Sequence, residues 1–267
     1  MLDDLTSPAD LEGAVLGPVV VPVTKERVAF YAEVTEDDPT KWTDQAPPGF
    51  GSVLLFSVAD LFLRHPKVVP FTATLLHLDQ SFEYLGEIGT DTDVTVEGTI
   101  TRVRQRAGSF FVTFVAVGTT GPAELIRSTS TFVLSDQTAP APETVNVEPD
   151  PRFRGESNGS PRSASRHDLV RYAAATRDFN PLHWDHDTAV AAGLPGTVVH
   201  GLLMYAWMAQ QAMAESGRAI ASMRVRFRSA LHPAEQATVV TTVDGDTADV
   251  VLSSGDVELV TGTAALR

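Results

Sequence analysis

The stretch Leu202–Ser216, LLMYAWMAQQAMAES, decides the fold, because it has the length of a helix and is apolar on nearly every side. Gly217 follows it and is a typical helix stop. A helix without a polar face has to be covered by other structure. Strand-like runs of alternating apolar and polar residues come next: SMRVRFRS, ATVVTTVDGD, TADVVLSSG and VELVTGTAAL. The pattern predicts an antiparallel meander wrapped around one central helix.

The first half of the chain has the same order of segments. Ser52–His65, SVLLFSVADLFLRH, is again apolar nearly all round and ends before Pro66. Strand-like runs follow it between residues 76 and 134. Ahead of the two buried helices stand two further similar segments, VAFYAEVTEDDPTKW at 28–42 and LVRYAAATRDFNPLHW at 169–184. We infer an internal repeat of two α+β halves.

Individual positions of the two upstream segments match when one residue is deleted. The matched pairs are Tyr31 with Tyr172, Thr35 with Thr176, Asp37 with Asp178, Pro39 with Pro181, and Trp42 with Trp184. Each segment also begins with a helix-start signal, which is Thr24 in the first half and Ser165 with Asp168 as a capping box in the second.

The halves are separated by a proline-rich stretch, residues 135–165. Its prolines are Pro140, Pro142, Pro149, Pro151 and Pro161. This density of proline disfavours a continuous helix or a central strand. The sequence therefore predicts an N-terminal half at 1–134, a linker at 135–165 and a C-terminal half at 166–267.

Composition narrows the class of protein. The chain has 267 residues, 43% of them hydrophobic, a formal net charge of −14 and no cysteine. The negative charge argues against nucleic-acid and anionic-membrane partners, and the missing cysteines exclude disulfides, thiolate metal sites and a cysteine nucleophile. The first residues lack the basic and apolar regions of a signal peptide, and no apolar run approaches a membrane span. We expect a cytoplasmic protein that binds neither membrane nor nucleic acid.

Chemistry is indicated by DFNPLH at residues 178–183, followed by His200 and Gly201 at the start of the buried helix. The proline forces an extended residue before it, so the chain turns and brings His183 back towards Asp178. A carboxylate and an imidazole that converge in this way form an acid–base pair able to hold one water. At Gly201, free backbone N–H groups and the helix dipole favour a developing negative charge.

These residues resemble the MaoC-like (R)-specific enoyl-CoA hydratases, also called enoyl-CoA hydratase 2. The resemblance implies a hot-dog fold, with Asp178 and His183 as the catalytic dyad and Asn180 as the polar residue between them. It also implies that the Gly201 amide binds the thioester carbonyl. The first half is similar to the degenerate N-terminal hot dog of two-domain members. A double hot dog of the α+β class is therefore expected, with a homodimer of such chains as the candidate assembly.

By resemblance, the reaction is reversible hydration of a trans-2-enoyl-CoA to a (R)-3-hydroxyacyl-CoA, with the CoA thioester as substrate and no cofactor. Three alternatives stay open: a dehydratase acting on an acyl-carrier-protein substrate, a hot-dog thioesterase, and a non-catalytic acyl-binding subunit. The acyl group, the carrier and the physiological direction are not encoded in the pattern.

Further candidate residues surround the dyad. We expect His200 to be a structural hydrogen-bonding residue at the helix start, and Met204 and Tyr205 to be candidates for the acyl pocket. Alternating arginines on one strand form a candidate anion site for CoA phosphates, although an exposed face that balances acidic residues explains them equally well: Arg224, Arg226 and Arg228.

Two features argue against further chemistry. The run His183–Asp187 resembles a metal-ligand cluster, but Asp187 is placed to cap the next helix, so no metal site is expected. In the first half Lys41 occupies the position of the catalytic histidine and Asn180 has no counterpart, so that half should be catalytically silent. One departure from the family is the turn Ala230–Glu235, ALHPAE, where members often have a proline and a glycine.

Overall fold

A computed structural model describes residues 7–138 and 159–267 and confirms the predicted α+β double hot dog. Within these ranges the elements of the first half are β1 Val15–Val23, α1 Lys25–Val34, α2 Gly51–Leu63, β2 Thr74–Tyr84, β3 Thr92–Arg106, β4 Ser109–Thr120 and β5 Ala123–Ser135. Those of the second half are β6 Ser160–Arg162, α3 Arg166–Thr176, α4 His186–Ala191, α5 Gly201–Ser216, β7 Ile220–Phe227, β8 Ala237–Asp244, β9 Thr247–Ser254 and β10 Val257–Leu266.

All the strands form one ten-stranded antiparallel sheet in the order β1-β3-β4-β5-β2-β7-β10-β9-β8-β6. Counted from the centre outwards, the two halves have the same strand order. The halves join where β2 pairs with β7, in the register that sets Gln80 opposite Val225. The internal repeat read from the sequence is therefore also a repeat of topology.

The two apolar helices lie at the centre of the halves, as predicted. Most residues of α2 are buried against the strands of the first half, and most residues of α5 are buried against those of the second. Gly217 ends α5 with a φ of 65°, a left-handed conformation that glycine adopts without a steric penalty. No helix of the described ranges is long and apolar enough to span a membrane.

The shorter helices also repeat. Thr24 caps α1, and Ser165 and Asp168 form the predicted capping box of α3. Each helix is followed by a residue with positive φ, Glu36 at 59° and Arg177 at 67°. A short 3-10 turn comes next in both halves, Pro39–Lys41 in the first and Pro181–His183 in the second. Because α1 packs against α3, these turns lie close to the junction of the halves.

Two edge strands were not predicted. The strand β1 contains Pro18 and Pro22, which weaken a strand signal. Proline has no backbone N–H, and an edge strand tolerates this because one side of it has no neighbouring strand to bond. Its counterpart β6 lies inside the predicted linker and pairs with β8, so the end of that linker joins the sheet of the second half. The greater part of the linker, residues 139–158, lies outside the described residues.

The turn that departs from the family holds the segment before α5. His232 Nδ1 contacts the Thr197 carbonyl at 3.0 Å, and Val199 N donates to the Leu231 carbonyl at 2.8 Å. In this turn Ala234 has a φ of 67° and is exposed. A Cβ atom in the left-handed region is sterically costly, so glycine is the better residue at this position.

We expect Ala234→Gly to raise the free energy of unfolding by about 1 kcal/mol, because it relieves this conformational cost. Ala230→Gly is the matched control: the residue is equally exposed but its φ is not positive. There glycine adds only entropy to the unfolded chain, so stability should fall. Urea unfolding of both variants is the measurement, and a shift of the two in the same direction would contradict the interpretation.

Candidate active site

The turn after α3 brings Asp178 and His183 together. Asn180 Oδ1 accepts a hydrogen bond from Leu182 N at 3.2 Å, and Asn180 N donates to Asp178 Oδ1 at 3.4 Å. These contacts fold the chain so that His183 Nε2 lies 4.0 Å from Asp178 Oδ2. The distance is too long for a direct hydrogen bond, but one small oxygen-bearing group can contact both atoms. The side chains are only 11% and 10% exposed.

The tautomer of His183 follows from its second nitrogen. Nδ1 lies 2.8 Å from the Val198 carbonyl oxygen. A carbonyl only accepts, so Nδ1 carries the hydrogen and donates it. In the neutral ring, Nε2 then presents its lone pair on the side of Asp178. Val198 N in turn donates to the Leu182 carbonyl at 3.1 Å. Two hydrogen bonds therefore join the turn that contains His183 to the segment before α5.

His200 lies directly behind Asp178 and His183. It is fully buried, its ring stacks on His183 with 3.7 Å between centroids at 23°, and its Nε2 donates to the Asp178 carbonyl at 3.3 Å. Burial, with the neighbouring His183, holds the pKa of His200 well below its usual value. It is therefore a neutral ring at neutral pH, which places no second positive charge beside His183.

Burial dominates the electrostatics of Asp178. It raises the pKa of this carboxyl, while His183 and the Asn180 amide partly offset the increase. A carboxyl with a raised pKa is a stronger base when ionised, which suits it to accept and return a proton.

Gly201 begins α5 beside this pair. The His200 carbonyl accepts the first hydrogen bonds of the helix, from Leu203 N and Met204 N. The N–H groups of Gly201 and Leu202 come before these donors, so they have no acceptor within the helix. A Cβ at Gly201 would lie 3.0 Å from the Phe227 ring. The position therefore favours glycine for packing, and the helix start offers N–H donors and the positive end of the dipole.

The remaining predicted residues lie in two settings. Met204 and Tyr205 are buried in the core, and the Tyr205 hydroxyl contacts that of Tyr84 at 2.9 Å. The three arginines are exposed and pair with acidic groups: Arg226 with Asp79 at 2.8 Å, Arg224 with Asp79 at 3.7 Å and Arg228 with Glu258 at 3.7 Å. Their roles in substrate binding stay predictions.

One expectation about the following helix is wrong. Asp185, not Asp187, caps α4, by accepting from Thr188 N at 3.1 Å. Both are acidic residues near the helix start, and the helix begins at His186, two residues earlier than a cap at Asp187 implies. Since Asp185 is used as a cap, the run His183–Asp187 does not converge as a set of ligands.

Asp178, His183 and His200 do each offer a ligand atom, all within 4.8 Å of one another. A metal ion lies in the plane of each imidazole that binds it. The two stacked rings are nearly parallel and 3.7 Å apart, so one ion cannot lie in both planes. The donor set does not fit a resident metal in this arrangement.

The first half has no imidazole at the positions that correspond to His183 and His200. Lys41 is exposed, and Phe50 occupies the position that corresponds to His200. Asp37 accepts hydrogen bonds from Trp42 Nε1 at 2.8 Å and from Asp38 N at 2.9 Å. Both oxygens of its carboxylate are therefore hydrogen-bonded to nearby residues. That this half does not catalyse stays a prediction, and we call residues 7–138 the silent half on that basis.

Comparisons with known proteins identify the class. Residues 149–262 match the family model described as MaoC like domain, and residues 11–123 match the one described as FAS1-like, dehydratase domain region. The structure resembles HtdX of Mycobacterium tuberculosis with a TM-score of 0.75 and 22% identity, covering 94% of this chain and 100% of that one. It also resembles a M. tuberculosis protein with a double hotdog fold, at a TM-score of 0.64 and 11% identity, covering 98% and 99%.

A curated relative is the mitochondrial 3-hydroxyacyl-[acyl-carrier-protein] dehydratase of Arabidopsis thaliana. It is 33% identical over 72 residues, which are 27% of this chain and 43% of that protein, so the match spans less than half of the relative. Residues 149–262 therefore form a MaoC-like domain, residues 11–123 match a dehydratase domain region, and these matches support a hydro-lyase.

The buried carboxylate gives a test of the site that needs no substrate. Because the pKa of Asp178 is raised in the fold, the folded state binds its proton at a higher pH than the unfolded chain does. Stability therefore falls as the pH rises from the pKa of the unfolded carboxyl, about 3.9, through the raised folded value. Asp178→Asn should unfold at higher urea than the wild type at pH 7, and this gain should shrink towards pH 4.

Asp37→Asn is the matched control for this experiment. Its carboxylate accepts two local hydrogen bonds, so neutralising it weakens charge-assisted bonds and should not stabilise the fold. Equal gains in the two variants would show that the effect comes from net charge and not from the burial of Asp178.

Proposed function

We propose that this protein catalyses the reversible addition of water to a trans-2-enoyl-CoA, giving a (R)-3-hydroxyacyl-CoA. One observation carries the proposal: the buried carboxyl group of Asp178 and the Nε2 atom of His183 lie 4.0 Å apart beside the start of α5, and the Nδ1 atom of the same ring is held by the Val198 carbonyl. The CoA carrier and the (R) configuration are taken from the resemblance to the enoyl-CoA hydratase 2 family.

In the proposed hydration, Asp178 and His183 bind one water between them. As the water oxygen forms its bond to C3, one of its protons passes to the pair. The electrons of the C2–C3 double bond move towards the thioester oxygen, where the Gly201 amide and the helix dipole stabilise the enolate. The pair then gives a proton to C2. Water is added without an oxidant, a reductant or a leaving group, and in reverse the same steps remove it.

The surroundings of the pair support these roles. Val198 keeps the hydrogen on Nδ1 of His183, so Nε2 is the atom that accepts a proton. The resulting imidazolium would lie between the Asp178 carboxylate and the neutral His200 ring, a setting that stabilises one positive charge. The silent half lacks an imidazole at either position, so we propose one active site per chain.

A second candidate is dehydration of a 3-hydroxyacyl group carried by acyl-carrier protein. It is favoured by the Arabidopsis relative, whose name specifies that carrier. The chemistry at Asp178 and His183 would be the same in reverse, and only the carrier differs.

We expect Asp178→Asn and His183→Ala each to lower kcat by about 10²–10⁴-fold, the usual contribution of a general acid–base group. The double variant should lose little more, since the two residues act on one water. The measurement is the absorbance of the conjugated enoyl thioester, with enoyl-CoA, 3-hydroxyacyl-CoA and the matching acyl-carrier-protein thioesters as substrates.

Lys41→Ala is the control, because Lys41 holds the histidine position of the silent half and should leave kcat within about twofold. Retention of more than a tenth of wild-type kcat by either dyad variant would overturn the assignment. Release of free thiol without loss of the conjugated absorbance would instead identify a thioesterase. A preference for the acyl-carrier-protein thioesters would favour the second candidate.

Chelation tests the metal-free mechanism separately. We expect dialysis against EDTA to leave kcat unchanged, since the stacked rings of His183 and His200 cannot share an ion. Elemental analysis of the untreated protein should find no stoichiometric metal. A tightly held equivalent of zinc or manganese that is lost together with activity would contradict the mechanism.

A further inference from the structure

Two buried hydroxyl groups that the proposed chemistry does not use connect the halves behind the site. Tyr172, on α3, donates to Ser52 Oγ at 3.3 Å. Ser52 lies in the first turn of α2, in the silent half, and donates to the Gly49 carbonyl at 2.9 Å. Both side chains are excluded from solvent, with exposures of 0% for Tyr172 and 1% for Ser52. The hydroxyl of Tyr172 is therefore held by a residue 120 positions away in the chain.

The ring of Tyr172 lies against the histidine stack. Its centroid is 4.9 Å from that of His200, at an interplanar angle of 53°, and His200 in turn stacks on His183 at 3.7 Å. The Nδ1 atom of His200 is buried and has no hydrogen-bond partner within the described residues. The Nδ1 side of the His200 ring is therefore held by packing and not by a hydrogen bond.

This packing matters for the direction of the catalytic nitrogen. The bond from His183 Nδ1 to Val198 O fixes one atom of the imidazole, but a ring held at one atom can still tilt about that contact. The face contact with His200 fixes the plane. Together they aim Nε2 at the space beside Asp178, and a misplacement of about 1 Å can cost a large part of the rate.

We infer that Tyr172 and Ser52 are positioning residues for His183, acting through His200, and that Ser52 is what the silent half contributes to the active site. The inference rests on the proposed function for its kinetic consequences. Its structural content, a chain of contacts from Ser52 to His183, is independent of the reaction.

The internal repeat supplies a matched comparison. Tyr31 aligns with Tyr172, is 1% exposed, and contacts the same Ser52 Oγ at 3.4 Å. Its ring packs against Phe50, with centroids 5.5 Å apart, where Tyr172 packs against His200. The two tyrosines also contact each other, with ring centroids 6.3 Å apart. They share a hydroxyl partner and a depth of burial, but Tyr172 packs against His200 and Tyr31 against Phe50.

We expect Tyr172→Phe and Ser52→Ala each to lower kcat about 10-fold, with KM within about twofold, because substrate contacts are unchanged. The double variant should be no slower than the slower single variant, since both remove the same bond. Tyr31→Phe should keep kcat within about twofold. An unchanged kcat in Tyr172→Phe, or an equal loss in Tyr31→Phe, would overturn the inference, as would additive losses in the double variant.

A second readout needs no turnover. Imidazole ¹⁵N chemical shifts of His183 and His200, assigned with His183→Ala, report tautomer and ring environment. They should move in Tyr172→Phe and Ser52→Ala and stay in place in Tyr31→Phe; the same shifts in all three variants would overturn the inference. If the wild type fails to hydrate any thioester while the selective shifts persist, the proposed function fails and the positioning role stands.

Discussion

Two helices without a polar face, α2 and α5, have to be covered within one chain of 267 residues. Neither five-stranded half can close on itself, since each would leave an unpaired edge beside its helix. Pairing of β2 with β7 removes the inner edge of each half, leaves β1 and β6 as the outer edges, and produces one continuous sheet with a helix under each half. The same pairing brings α1 against α3 and the start of α2 close to α3. The contacts between the candidate active site and the silent half are consequences of this junction.

The scaffold is nearly symmetric, but its chemistry is not. Both halves have a capped helix, a residue of positive φ, a 3-10 turn and a buried helix in the same order. The differences are a few side chains: His183 against Lys41 and His200 against Phe50. Because the backbone geometry is kept in the silent half, this half differs from the second by its missing imidazoles and not by its fold.

The carboxyl group of Asp178 is buried, and burial disfavours its charged form. Burial raises the pKa of Asp178 and lowers that of His200. The two shifts act together: they make the carboxylate a stronger base and keep the second imidazole neutral. Stability alone would favour an apolar or amide side chain at position 178, and the proposed function would account for the carboxylate that is present instead.

Local patterns in the sequence determined a large part of the structure. Alternation gave the long strands, uniform hydrophobicity gave α2 and α5, and the caps at Thr24 and Ser165 were correct, because each depends on residues within a few positions of one another. The hexapeptide at 178–183 also sufficed to bring Asp178 and His183 together, since a proline turn is itself local. The same local rules missed β1, because its prolines weaken a strand signal. They also pointed to Asp187 as the cap of α4, where the structure uses Asp185.

Contacts between distant parts of the chain were decided only by the tertiary structure. The alternation of Arg224 and Arg226 predicted that they share a face, but their partner Asp79 is supplied by the other half through the β2–β7 register. The Val198 carbonyl that sets the tautomer of His183 is a backbone atom, so no residue type marks it. The bond from Tyr172 to Ser52 likewise depends on how two helices of different halves meet. Sequence periodicity records which face of an element is buried, whereas the partner on that face is fixed by packing across the junction.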